Sequence, residues 1–172
     1  LGENLRKKGK KLNKDRMECR QNLKNHIDQM IKSNSNKKKY GKRCNVYELV
    51  KDAVYEQNED LKNIINLQWE DNKKNNPVNF GNVIPMVDTS GSMEMDECIP
   101  LYNAIGLGIR ISENNHEIFK NRILTFDHLP SWIKLEDTMT FCDKVNQVKD
   151  SAWGMSTNFY KDGINNLDNT EL

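Results

Sequence analysis

The chain has 172 residues, 36% hydrophobic and 30% charged, enough for one compact domain plus an extension at the usual ~100 to 200 residues per domain. No stretch approaches the roughly 18 consecutive apolar residues of a membrane span, and the basic, polar N-terminus does not suit a secretory leader, so no membrane partner is expected. Fifteen Lys and Arg stand against four Asp and Glu before residue 44, and eleven against twenty-one after it, so a net charge of +1 hides two ends suited to different partners.

Cys19, Cys44, Cys98 and Cys142 form no CxxC pair and have no histidine at metal spacing beside them. Neither a zinc site nor a disulfide framework is expected, and a reducing, intracellular setting such as the cytoplasm follows. The chain opens on Leu1 instead of a start methionine, which reads as a fragment.

Residues 1–14 read as a basic, disordered arm with little to bury. From Asp15 the text changes. Cys19, Leu23, Ile27 and Ile31 recur every four residues beside Met30, the stripe of an amphipathic helix. A Lys-rich loop, Ser33 to Arg43, follows. Asn45 then caps a helix with the face Val46, Leu49, Val50, Ala53 and Val54, and Leu61, Ile64, Ile65 and Trp69 mark a third helix. Residues 15–76 are therefore expected to be a helical segment, with Asp71 to Asn79 as a polar linker.

Val83, Ile84, Met86 and Val87, ending in Asp88, predict a strand buried on both faces, with Pro85 as a blemish in the ladder. Pro100 to Ile111 is apolar nearly all round and predicts a helix packed into the core. Gly106 and Gly108 within it are expected to permit close approach to the sheet. Ile123 to Phe126 and Trp132 to Leu135 predict a hairpin across Asp127 to Ser131, and Asp137 or Thr138 is expected to cap a last helix carrying Phe141, Val145 and Val148. Strand, helix, hairpin and helix in that order predict a mixed α/β layer.

The chemistry lies in Asp88-Thr89-Ser90-Gly91-Ser92-Met93, where the strand gives way to the helix. Ligands gather outside the carboxyl ends of strands in open α/β sheets. Asp88, Ser90 and Ser92 alternate in a tight loop and can turn three oxygens to one point, the donor set of a hard cation such as magnesium.

These residues resemble the DxSxS of the metal ion-dependent adhesion site in von Willebrand factor type A (vWA) domains. The resemblance implies a Rossmann-like sheet with flanking helices and no catalytic residues. It implies that Ser90 and Ser92 bind Mg²⁺ or Mn²⁺ directly, that Asp88 does so directly or through water, and that a threonine from a later loop completes the shell. Gly154 to Phe159 is that loop, which makes Thr157 the candidate. The open position on the ion would take an Asp or Glu from a protein partner.

Ile123 to Asp127 with Pro130 is similar to the family's second strand and turn. Trp153-Gly154 before Ser156-Thr157 is similar to a subgroup whose vWA domain follows a helical-repeat module, including the Ro (TROVE) RNA-binding proteins and a large uncharacterised family of plants, fungi and giant viruses. Trp69 suits such a module. The chain ends at Leu172 before the strand that carries a further acidic residue in the family, so residues 78–172 are expected to be the N-terminal half of the domain, C-terminally truncated. Asp162 and Asp168 precede that strand and are not expected to be ligands. Weak metal binding and an exposed flank of the first strand follow.

Three other readings compete. Asp88, Ser90 and Ser92 also suit a turn that caps the next helix. Asp-Thr-Ser-Gly superficially matches an aspartic protease loop, but those enzymes need two carboxylates sharing a proton in an almost wholly β fold, which the buried helix after Met93 contradicts. In the nucleic-acid reading, Arg6, Lys7, Lys8, Lys10, Lys11 and Lys14 bind RNA phosphates electrostatically and the vWA half is scaffolding.

Overall fold

The computed structural model describes residues 14–32, 44–77, 80–126 and 131–151. Among them the order is α1 (Lys14–Lys32), α2 (Val46–Tyr55), α3 (Glu59–Asn75), β1 (Met86–Asp88), two 3₁₀ turns (Gly91–Glu94 and Asp96–Cys98), α4 (Ile99–Glu113), β2 (Arg122–Phe126), β3 (Trp132–Lys134) and α5 (Phe141–Asp150). The described part is mixed α/β and mostly helical, five helices around one small three-stranded sheet. No described helix is long and apolar enough to cross a membrane.

The sheet runs β1-β2-β3. β1 pairs parallel with β2, with Met86 opposite Leu124 and Asp88 opposite Phe126. β2 and β3 form the expected antiparallel hairpin, with Ile123 opposite Ile133. A parallel pair requires a crossover, and α4 supplies it. Strand β1 is shorter than expected and is buried on one side only: Val87 is enclosed, whereas Met86 is 50% exposed. Its shortness follows from Pro85, which cannot donate to a ladder and enters it only by accepting from the Leu124 amide at 3.0 Å.

Helices α2 to α5 share one apolar core. Leu49, Val50 and Ala53 of α2 meet Leu101, Tyr102, Ile105 and Ile109 of α4, with Val145 and Val148 of α5 and Ile123 and Ile133 of the sheet. Asn45 is the N-cap of α2 as expected, and Glu48 reaches back to its amide at 3.2 Å. Helix α5 starts later than expected. Thr140, not Asp137 or Thr138, is its cap, accepting from the Asp143 amide, because Asp137 is engaged by Lys120 and Asn121 instead.

Helix α1 forms where the stripe places it, but most of the stripe is not buried. Ile27 is enclosed, while Leu23 is 42% and Ile31 51% exposed. The helix packs chiefly on α3, so its other apolar positions meet little described structure.

A polar cluster penetrates the core. Trp69 of α3 stacks on Phe141 of α5 with ring centroids 4.0 Å apart, and the Arg110 guanidinium of α4 lies 5.5 Å from the Trp69 ring. The indole N–H donates to Glu113 at 3.1 Å, and the same carboxylate accepts from Lys144 at 2.7 Å and pairs with Lys73 at 3.1 Å. Arg110 donates to the Asn72 side chain at 2.8 Å and to the carbonyls of Asn72 and Asn76. Asn72 in turn donates to the Cys44 carbonyl at 3.0 Å. This cluster explains why α3 runs on to Asn75 through text expected to be linker: Asp71 and Asn72 are buried and Asn72 is held from two sides.

Burial alone would raise the Glu113 carboxyl, but Lys73 and Lys144 outweigh it and hold the group below its ordinary value of 4.5. A folded value below the unfolded one means the pairing stabilises the protein above about pH 4.5 and loses its contribution as pH falls through the folded value. Glu113→Ala strands the buried Lys144 ammonium and is expected to cost about 3 to 5 kcal/mol in urea unfolding at pH 7. The gap between wild type and variant should narrow as the pH is taken below roughly 4. A gap independent of pH would show that the carboxylate charge contributes nothing.

Candidate functional site

Strand β1 delivers Asp88 to the carboxyl end of the parallel pair, and the chain then turns sharply. The Ser90 amide donates to Asp88 Oδ1 at 2.9 Å, an Asx turn that fixes the carboxylate over the start of the loop. The Met93 amide donates to the Ser90 carbonyl at 2.9 Å and closes the 3₁₀ turn Gly91–Glu94. That turn brings the hydroxyls of Ser90 and Ser92 to 3.0 Å from each other. Ser90 is buried, Ser92 is exposed and Asp88 is half-buried, so the pair opens to solvent at the Ser92 side. Thr89 between them is buried, and its hydroxyl has no hydrogen-bond partner among the described residues.

The turn thus brings the two neutral hydroxyls of Ser90 and Ser92 together, and the Asp88 carboxylate is tied to the same loop through the Ser90 amide. Thr157, with the loop Gly154 to Phe159, lies outside the described residues, as do Asp162 and Asp168. Of the arm's basic residues, Lys14 is the exposed first residue of α1, and Arg6, Lys7, Lys8, Lys10 and Lys11 lie outside the described residues. No group of three or more His, Cys, Asp or Glu gathers at a metal-holding distance among the described residues. Burial pushes the Cys142 thiol up to about 11, which keeps it protonated and poor as a nucleophile at neutral pH.

The site's footing is the contact between α4 and its neighbours. Gly108 faces Val87 of β1, and a Cβ there would fall inside van der Waals contact with the Val87 side chain. Gly106 differs from expectation: it faces Val46 and Val50 of α2, not the sheet. The two glycines are two positions apart on a helix, so they look in opposite directions, one toward the strand and one toward the helical segment. The buried polar cluster is what the sequence reading missed. Its signal is an arginine and a glutamate three residues apart, Arg110 and Glu113, in a mostly apolar helix.

Residues 82–164 match the model of a family described as a domain of unknown function (DUF7788). The chain is similar to the uncharacterized protein L728 of Acanthamoeba polyphaga mimivirus, 35% identical over 114 residues, which are 65% of this chain and 19% of that protein. The chain therefore spans about a fifth of the curated relative it matches. No solved structure matches it.

Alanine is the better helix former by about 1 kcal/mol, so Gly108→Ala would stabilise an unconstrained helix. Against Val87 the reverse is expected, a loss of about 1 to 3 kcal/mol, measured by chemical denaturation. A gain would mean that α4 and β1 do not approach as closely as described.

Proposed function

We propose that the loop after β1 holds a divalent cation, magnesium or manganese, and that the chain acts as a non-enzymatic interaction module of the vWA type. The observation that carries this reading is the convergence of the two serine hydroxyls, hydrogen-bonded to each other at 3.0 Å. The same separation suits adjacent ligands of an octahedral ion with bonds near 2.1 Å, which stand about 3.0 Å apart, so an ion could replace the hydrogen bond with little movement of either oxygen.

Further support comes from position and charge. The loop sits at the carboxyl end of a parallel strand that feeds a crossover helix, where α/β sheets place their ligands. With Asp88 as the single carboxylate between residues 88 and 93, a bound ion keeps much of its charge. Thr157 would add a neutral oxygen, and a position left open would take an Asp or Glu carboxylate from another protein.

Calorimetry with Mn²⁺ and Mg²⁺ on the wild-type chain and on Ser92→Ala and Asp88→Ala is the direct test. Binding is expected in the wild type, with at least a tenfold loss in each variant. Equal heats from the wild type and both variants would discard the site.

A further inference from the structure

Between the hydroxyl loop and α4 stand three successive non-glycine residues in the left-handed region: Asp96 at φ 50°, Glu97 at 56° and Cys98 at 62°. L-residues crowd Cβ against the following carbonyl there, so the region is normally visited by single residues, and most often by glycine or asparagine. Such a run persists only where its surroundings impose it.

The surroundings can be named. Pro100 is the second residue of α4. It has no N–H, and its ring would strike the carbonyl four residues earlier, at Asp96, if the helix ran back that far. Cys98 is the earliest residue α4 can absorb, so Asp96 and Glu97 are barred from right-handed helix. The turn is also tied at its sides. The Cys98 amide donates to the Met95 carbonyl at 3.1 Å, Cys98 packs against the core, and Glu97 pairs with Lys51 of α2 at 3.3 Å. On the other flank Met95 is extended, and only that residue and the end of the 3₁₀ turn separate the strained run from Ser92.

The geometry points to a proline-locked strut: the left-handed turn Asp96–Cys98, whose first two residues Pro100 keeps out of α4, holds the Ser90–Ser92 loop in its ligand-ready position. Without the proline, α4 can grow backward by about one turn. Each residue it takes reverses from left-handed to right-handed backbone, which re-aims the chain entering the helix and moves Ser92 relative to Ser90. This inference rests on the cation reading for its binding arm and on the backbone alone for its other arms.

Three variants test it: Asp96→Gly, Glu97→Gly and Pro100→Ala. Glycine is at ease in the left-handed region, so each glycine variant is expected to raise Tm by a few degrees; a lower Tm in both would overturn the turn's handedness. Pro100→Ala is expected to gain far-UV helical signal equivalent to three or four residues, to change amide exchange at residues 91–95, and to weaken Mn²⁺ binding at least fivefold while the glycine variants bind like wild type. Unchanged Mn²⁺ affinity in Pro100→Ala, against a wild type that binds, would overturn the strut. A wild type that binds no Mn²⁺ would sink the cation reading alone. The strut would then stand if Pro100→Ala alters exchange at residues 91–95 and fall if it does not.

Discussion

The arrangement hinges on one largely buried carboxylate. Glu113, at the last turn of α4, gathers the Trp69 indole from α3, Lys144 from α5 and Lys73 from α3 around a single pair of oxygens. Ion pairs in the interior contribute little net stability compared with well-packed hydrophobic residues, but they are intolerant of misplacement, because a displaced partner leaves a bare charge out of water. Their effect here is geometric: three helices can meet around Glu113 in few ways that satisfy every donor. Apolar packing of α2 against α4 supplies the affinity between the elements, and the carboxylate fixes their orientation.

The oxygen loop at the opposite end of α4 has a different character. It is built from neutral hydroxyls and one carboxylate, with short-range hydrogen bonds in place of ion pairs. Thr89 and Ser90 in it are buried while Ser92 is exposed, so its geometry depends on the scaffold behind it. The Asx turn at Asp88 and the 3₁₀ turn at Gly91–Glu94 give local order, and the close approach of Gly108 to Val87 keeps strand and helix at the separation that the turn must span.

Much of this was legible in the sequence because apolar spacing reports one-sided burial directly. The faces of α2 and α4, the hairpin, and the placement of Asp88-Thr89-Ser90-Gly91-Ser92 at a strand end were all readable from such patterns. The misses share a cause: each depends on a partner distant in the chain. Asp71 and Asn72 look like linker until Arg110 and the Cys44 carbonyl are set beside them. Asp137 looks like a helix cap until Lys120 and Asn121 claim it. The α1 stripe predicts burial, but a stripe says only that a face is apolar, not that something covers it. The left-handed run at Asp96–Cys98 carries no glycine to announce it, and Pro100 is its one trace in the sequence.

The opposed glycines of α4 have a mechanical consequence. Gly106 seats α2 and Gly108 seats β1 on nearly opposite sides of one rod, and Leu107 and Ile109 beside them carry bulky side chains. Sliding α4 by a single residue in either direction would bring a branched chain into a seat shaped for hydrogen. The rod is therefore indexed along its length like a key in its wards, and the helical segment and the strand keep a common zero point.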